Sequence, residues 1–215
     1  FKEADQILGF SLSQVIFEGP VEELTKTSIC QPALYVHGLA CLAALREKVP
    51  GIEFAATAGL SLGEFTAHAA AGTFDFATGL RLVKRRADAM QKACEETEGG
   101  MAAVIGGEEN RIRELAAAAD VDVANLNSPG QVVLSGESSK IALAVSLARE
   151  YGARKAVELQ VAGAFHSRLM ESAYQSLGAA LAETPMLTPQ IPVVCNVDAQ
   201  AVTDADVIRR SLADQ

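Results

Sequence analysis

The sequence lacks tryptophan and has only four cysteines and three histidines among its 215 residues. No two cysteines form a CxxC pair, and no cysteines and histidines share the spacing of a zinc site, so we expect no metal centre. The cysteines are expected to be free thiols, as is usual in the reducing cytoplasm. A cytoplasmic protein is therefore predicted.

Positive charge and long apolar runs are also scarce. Basic residues number 18 against 27 acidic ones, giving a formal net charge of −9, and such a chain repels a nucleic-acid backbone unless its basic residues cluster. The apolar stretches are interrupted by charges, so we expect none to reach the roughly 20 residues of a membrane span. The chain begins at Phe1, without a methionine, and ends at Gln215 inside a predicted helix. Both ends of the native protein are therefore expected to lie outside it, and no nucleic-acid or membrane partner is expected.

Helical patterns and short apolar strands alternate along the chain, which is typical of an α/β protein. After Gly99-Gly100 the order becomes β-α-β-β-α-β, which predicts an inserted ferredoxin-like domain over 99–160. The remaining residues, 1–98 and 161–215, are assigned to a larger subdomain. The patterns predict helices over 31–48, 64–71, 75–97, 108–119, 138–151, 167–182 and from 204, and strands over 54–58, 101–105, 121–124, 131–134, 153–160 and 192–196.

A serine lies between two glycines in the segment Gly59-Leu60-Ser61-Leu62-Gly63. Because a strand is predicted before it and a helix after it, the segment fits a nucleophile elbow, in which a tight turn exposes the serine hydroxyl. The N–H of Leu62, at the start of the helix, would then face a developing oxyanion. The alternative is a structural turn without a catalytic role.

A serine nucleophile needs a base, and the three histidines differ in their predicted positions. His37 lies within an apolar helix, and His68 lies two turns beyond Ser61 and points away from the predicted turn. His166 lies on a strand-to-helix connection, where α/β proteins place active-site groups. Elimination favours His166, but no acidic residue stands out as the group that would orient it, and a main-chain carbonyl is an alternative.

Two neighbouring arginines occupy different faces of the helix predicted over 75–97. Arg85 lies about 180° from the apolar face and is expected in solvent, whereas Arg86 lies about 80° from it, at the border of the buried stripe. Arg86 either keeps its charged head at the rim or reaches inward as a bidentate ligand for a substrate carboxylate. Periodicity leaves both interpretations open.

Four sequence segments, taken in this order along the chain, carry a family resemblance: GLSLGEFTAHAAAGTFDFATGLRLVKRRADAMQ, GGMAAVIG, NLNSPGQVVLSG and GAFHSRLM. Together they resemble malonyl-CoA:acyl carrier protein transacylases and the related acyltransferase domains of polyketide and fatty acid synthases. The resemblance implies an α/β-hydrolase-like large subdomain with an inserted ferredoxin-like small subdomain. It also implies an enzyme that moves a malonyl group from malonyl-CoA to the phosphopantetheine thiol of acyl carrier protein, without any other cofactor. A monomer is expected.

The resemblance assigns roles to six candidate residues. It implies that Ser61 carries the acyl group, that His166 is the base and that the N–H of Leu62 helps to bind the oxyanion. The substrate-binding residues that it implies are Arg86, which pairs with the malonyl carboxylate, Phe165, which narrows the pocket, and Asn127, a possible contact.

Two departures from the family keep other functions open. Leu60 stands where the family usually has histidine, and the family's N-terminal glutamine-containing loop, which supplies a second oxyanion donor, is absent from this sequence. A serine hydrolase or thioesterase would use the same nucleophile with water as the acceptor. A non-catalytic module that binds carrier protein is the second alternative.

Overall fold

The computed structural model describes all 215 residues, which form ten α-helices, one short 3-10 helix at Arg168–Met170 and seven strands. The α-helices are α1 (Lys2–Leu8), α2 (Leu12–Glu18), α3 (Val21–Leu24), α4 (Thr27–Lys48), α5 (Leu62–Ala70), α6 (Phe76–Glu96), α7 (Glu109–Ala119), α8 (Ser138–Leu147), α9 (Glu171–Glu183) and α10 (Ala205–Asp214). The strands are β1 (Thr57–Ala58), β2 (Gly99–Ile105), β3 (Asp122–Ser128), β4 (Gln131–Glu137), β5 (Lys155–Glu158), β6 (Val193–Val194) and β7 (Ala201–Val202).

The predicted helices and strands are found close to their expected positions, with three corrections. The strands predicted over 54–58 and 192–196 shrink to β1 and β6, because their register pairs only Thr57 with Val193 and Ala58 with Val194. The helix predicted over 138–151 ends at Leu147. The seven-residue helices α1 and α2 and the two-residue strand β7 were not predicted, because such short elements carry little periodic signal.

The contacts divide the chain into two compact units, and the first comprises 1–89 and 174–215. Its sheet has the order β1-β6-β7, in which β1 and β6 are parallel and β6 and β7 antiparallel. Its core is mainly helical, and the largest fully buried apolar side chains come from α2, α4, α5, α6, α9 and α10. They are Leu12, Tyr35, Phe65, Leu80, Leu181, Ile208 and Leu212.

The helix α4 corrects the expectation about apolar runs. It has 22 residues, and an 18-residue stretch within it has a mean hydropathy of 1.4, so by length and composition alone it could cross a membrane. A helix in the core of a folded domain meets the same two criteria. Within the first unit, α4 also buries the polar side chains of Thr27 and Gln31, and Gln31 accepts a hydrogen bond from Arg86.

The second unit comprises 90–173 and is built on one antiparallel sheet. Its strand order is β3-β4-β2-β5, with β4 and β2 in the centre. The helices α7 and α8 bury Ile112, Leu115 and Ile141 in the same apolar cluster as Val104 and Leu134 of the sheet. This unit therefore has a core of its own.

The second unit is wider than the predicted domain at 99–160, and by its contacts it includes His166, which the sequence analysis assigned to the large subdomain. Close packing explains the difference. A Cβ at Gly163 would lie 2.5 Å from Cys94 Sγ, and a Cβ at Gly99 would lie 2.7 Å from the Cβ of Ala164. Glycines at 99 and 163 thus let the segment before His166 pack against this unit.

An ion-pair cluster also fastens this segment to β3. The main-chain N–H of Arg168 donates to Asp122 Oδ2, and Nη2 donates to Asp122 Oδ1, each at 2.8 Å. Arg168 Nη1 donates to Asp120 Oδ1 at 2.8 Å. Burial alone would raise the pKa of Asp122, but the hydrogen bonds from Arg168 outweigh it and leave the pKa below its usual value.

A glycine pair in the helices of the first unit tests the packing. A Cβ at Gly79 in α6 would collide with Tyr35 Oη and lie 2.6 Å from Phe74 Cε2, whereas a Cβ at Gly178 in α9 meets nothing within 4 Å. We expect Gly79→Ala to lower the free energy of unfolding by about 1–3 kcal/mol, and Gly178→Ala to leave it unchanged or raise it by up to about 1 kcal/mol. Urea unfolding measures both, and equal effects would contradict the packing described.

The lowered pKa of Asp122 predicts an acid-sensitive contribution to stability. Its ionised form is stabilised in the folded state, so the contribution is complete above the unfolded pKa of about 3.9 and is lost as pH falls through the folded pKa. We expect Asp122→Asn to destabilise the protein by about 1 kcal/mol or less at pH 7 and to have less effect as the pH falls below the unfolded pKa of about 3.9. Urea unfolding of the wild type and of Asp122→Asn between pH 7 and acidic pH measures the difference in unfolding free energy. A difference that grows as the pH falls would contradict the prediction.

Candidate active site

Ser61 lies on a sharp turn between β1 and α5. It is the N-cap of α5, with φ 50° and ψ −111°, and a non-glycine residue in such a sparsely populated region costs about 1–3 kcal/mol. A Cβ at Gly59 would collide with the main chain of Gly63 and lie 2.7 Å from the amide nitrogen of Glu64. Glycine at position 59 therefore allows the end of the strand to lie against the first turn of the helix, as the spacing of the motif predicted.

Two residues that the sequence analysis did not single out hold this turn. The main-chain N–H of Ser61 donates to Asn196 Oδ1 at 2.5 Å, and Asn196 Nδ2 donates to the carbonyl of Gly59 at 2.6 Å. The N–H of Asn196 donates to Glu64 Oε2 at 3.1 Å. Glu64 is fully buried. The only hint of this in the sequence is that an acidic residue occurs in the otherwise apolar first turn of α5.

Leu62 is the first residue of α5, next to Ser61. The first N–H groups of a helix have no acceptor within the helix. Around Leu62, the N–H of Gly63 donates to the carbonyl of Leu60 at 2.8 Å, and that of Glu64 to the carbonyl of Ser61 at 3.1 Å. The helix N-terminus beside the serine therefore presents the type of donor that stabilises negative charge.

Arg86 reaches inward and does not keep its charged head at the rim, while its pairing with a substrate carboxylate stays a prediction. Its side chain is buried, with 3% of its surface exposed. Nη2 donates to Ser61 Oγ at 2.9 Å and to Gln215 Oε1 at 2.9 Å, and Nη1 donates to Gln31 Oε1 at 2.5 Å. Arg85 lies in solvent as predicted, with 55% of its side chain exposed and Nη1 3.5 Å from Glu183.

The guanidinium of Arg86 is held mainly by neutral groups. Burial lowers the pKa of Arg86 to about 10, and the charge of Glu64 acts in the opposite direction, so the side chain is cationic at neutral pH. Gln215 Nε2 donates to Glu64 Oε2 at 2.6 Å, so the amide of Gln215 links Arg86 to the buried carboxylate. A buried cation beside the Ser61 hydroxyl favours an anionic ligand at this position, because an unpaired charge is costly away from water.

The other two histidines occupy different settings. His37 lies on the exposed side of α4, with Nε2 3.7 Å from Cys41 Sγ. His68 is fully buried, with Nδ1 3.0 Å from Thr73 Oγ1 and Nε2 3.8 Å from Glu64 Oε1. Neither histidine lies on a strand-to-helix connection, the position predicted for the catalytic base.

His166, Phe165 and Asn127 belong to the second unit. His166 is half-buried and has a φ of 56°. The segment around it is fixed locally: the N–H of Phe165 donates to the carbonyl of Gly163 at 3.1 Å, and Ser167 Oγ donates to that of Ala164 at 2.7 Å.

Asn127 is exposed on β3, where the pairing with β4 is irregular between Leu126 and Ser128. The first unit thus gathers Ser61, Leu62 and Arg86, while the pairing of Ser61 with His166 stays a prediction.

Metal ligands do not cluster in the structure: no group of three or more histidine, cysteine, aspartate or glutamate residues is placed to hold an ion. All four cysteines are free, and Cys94 and Cys195 are buried. The chemical groups that the first unit brings together are the Ser61 hydroxyl, the buried Arg86 guanidinium and the N-terminus of α5.

Comparison with known proteins places the chain in a family. Residues 3–212 match the acyl transferase domain family. The chain is 39% identical over 220 residues to the malonyl CoA-acyl carrier protein transacylase of Bacillus subtilis (strain 168), covering 100% of this chain and 69% of that protein. It is also 39% identical over 219 residues to the Escherichia coli (strain K12) protein of the same name, covering 100% and 71%.

Solved structures agree with this result. The acyl-carrier-protein-S-malonyltransferase of Bartonella henselae superposes with a TM-score of 0.93 at 36% identity, covering 100% of this chain and 70% of that one. A malonyl-transacylase solved in complex with its type II polyketide synthase acyl carrier protein gives 0.92 at 37% identity, with 100% and 70% covered. The chain belongs to the acyl transferase domain family, alongside the malonyl CoA-acyl carrier protein transacylases.

Proposed function

We propose that this protein transfers a malonyl group from malonyl-CoA to the phosphopantetheine thiol of acyl carrier protein through an ester on Ser61. The observation that carries the proposal is the buried guanidinium of Arg86, with Nη2 2.9 Å from Ser61 Oγ. A malonyl ester on that oxygen has its free carboxylate on the carbon next to the ester carbonyl. The guanidinium of Arg86, this close to Oγ, can therefore donate hydrogen bonds to the malonyl carboxylate.

The architecture supports the proposal at the level of subdomains. The β2-α7-β3-β4-α8-β5 order and the antiparallel strand order β3-β4-β2-β5 support a ferredoxin-like fold for the second unit. The parallel pair β1 and β6, with a serine on the turn from β1 into α5, supports an α/β-hydrolase-like fold for the first. The four free cysteines support a cytoplasmic location, and we expect a monomer with no cofactor other than the two substrates.

The first half-reaction forms the acyl-enzyme. His166, as general base, takes the proton of the Ser61 hydroxyl, and Oγ attacks the thioester carbonyl of malonyl-CoA. The N–H of Leu62 donates to the oxyanion of the tetrahedral intermediate. The carbon–sulfur bond breaks, His166 returns its proton to the leaving CoA sulfur, and the malonyl group remains on Ser61.

The second half-reaction runs the same steps with carrier protein as the acceptor. His166 takes the proton of the phosphopantetheine thiol, whose sulfur attacks the ester carbonyl. The bond to Ser61 Oγ breaks, and the proton passes from His166 to Oγ. The free serine is regenerated, and the malonyl group leaves as a thioester of carrier protein.

Selectivity follows from the groups that hold Arg86. In the absence of substrate, its donors contact the amide oxygens of Gln31 and Gln215, which a carboxylate replaces with two stronger, charge-assisted bonds. An acetyl group offers no such acceptor and leaves the guanidinium without an anion. Phe165 is proposed to narrow the site against branched acyl groups, and Asn127 to contact the substrate.

Intact-mass spectrometry tests the proposal directly. The full-length protein is mixed with malonyl-CoA, the adduct is mapped, and carrier protein is then added. We expect one malonyl group on Ser61 that moves to the carrier protein, and no adduct on Ser61→Ala. Release of malonate to water alone would support a hydrolase, and a folded protein that forms no adduct would support a binding module; either result contradicts the transferase.

The paired arginines test the source of selectivity. We expect Arg86→Ala to lower kcat/KM for malonyl-CoA by about 30- to 4,000-fold, because truncating one partner of a buried charge pair costs about 2–5 kcal/mol. The ratio of acetyl to malonyl transfer should rise. Arg85→Ala, one residue away and exposed, is the matched control and should leave both rates unchanged; the same malonyl preference in Arg86→Ala would remove Arg86 from substrate recognition.

A further inference from the structure

The pairing between β1 and β6, just before the turn that carries Ser61, does not end with the usual main-chain hydrogen bonds. The parallel strands β1 and β6 pair Thr57 with Val193 and Ala58 with Val194, and the same register, continued, places Asn196 opposite Leu60. In a parallel pair of strands, the main-chain N–H of Asn196 would then donate to the carbonyl of Gly59, and its carbonyl would accept from the N–H of Ser61. The main-chain N–H of Asn196 does not follow this pattern, because it donates to Glu64 Oε2 at 3.1 Å.

The side chain of Asn196 makes both of these bonds instead. Its Nδ2 donates to the carbonyl of Gly59 at 2.6 Å, and its Oδ1 accepts from the N–H of Ser61 at 2.5 Å. A primary amide carries a donor and an acceptor side by side, as two neighbouring peptide groups on a strand do. The side chain thus extends the pairing past the end of β1 and across the turn.

The turn needs such a restraint because Ser61 has a φ of 50° and a ψ of −111°. A non-glycine residue keeps such main-chain angles only when its surroundings fix it. Glycine would adopt them more easily, but it lacks the hydroxyl group of serine. Glu64, which is fully buried, fixes Asn196 in turn and also accepts from Gln215 Nε2 at 2.6 Å. We infer that Asn196 is a positioning residue that holds the main chain of Ser61 in its reactive conformation, an inference that rests on the proposed role of Ser61.

The test compares Asn196→Ala, Asn196→Gln and the control Val197→Ala in the full-length protein. Val197 is the next residue and is exposed. The readouts are the rate at which a fluorophosphonate labels Ser61, the kcat and KM for malonyl-CoA, and the melting temperature. We expect both Asn196 variants to lose about 10- to 100-fold in labelling rate and kcat, the usual effect of a misplaced reactive group. KM should stay within about threefold, because Arg86 is untouched, and Val197→Ala should match the wild type.

A folded Asn196→Ala that is labelled at the wild-type rate would overturn the inference, as would Asn196→Gln at that rate if the alanine variant does not fold. Hydrogen exchange of the Ser61 amide in the unaltered protein gives a further test by NMR. Protection is expected, although amides at helix N-termini usually exchange quickly, and fast exchange would overturn the inference. A wild-type protein that reacts with fluorophosphonate but not with malonyl-CoA would contradict the proposed function alone.

Discussion

The contact between Arg86 and Ser61 is the constraint on which the other features of the site depend. The guanidinium is buried, and Nη2 donates to Ser61 Oγ at 2.9 Å. A buried cation without an anion is unstable unless other groups satisfy its donors, and the amide oxygens of Gln31 and Gln215 do so here. Neutral amides are weaker partners than a carboxylate, so the donors of Arg86 are satisfied without substrate, and an anionic acyl group is the proposed ligand that replaces the amides.

Separate residues hold the cation and the proposed nucleophile. Arg86 comes from α6, whereas the turn that carries Ser61 is held by Asn196, which follows β6, and by Glu64 in α5. Gln215 joins the two sets, since its amide contacts both Arg86 and Glu64. One connected set of hydrogen bonds therefore fixes both the Ser61 hydroxyl, the proposed nucleophile, and the Arg86 guanidinium, the proposed partner of the acyl carboxylate.

The sequence predicted those features that local pattern determines. The glycine spacing around Ser61 identified the turn, the helical period separated Arg85 from Arg86, and the β-α-β-β-α-β order was found with nearly the predicted strands. It did not predict Asn196, Glu64 and Gln215, because their bonds join positions 132 and 151 residues apart and leave no periodic signal. The unit defined by contacts is wider than the segment 99–160 for a similar reason: close approaches at Gly99 and Gly163, and not element patterns, attach the segment that carries His166.

The most direct test of the central claim is a crystal structure of the full-length protein acylated with malonyl-CoA. The account predicts an ester on Ser61 whose free carboxylate accepts hydrogen bonds from Nη1 and Nη2 of Arg86, displacing the amide oxygens of Gln31 and Gln215. A malonyl ester whose carboxylate points away from Arg86, while both glutamines keep their bonds to the guanidinium, would contradict it.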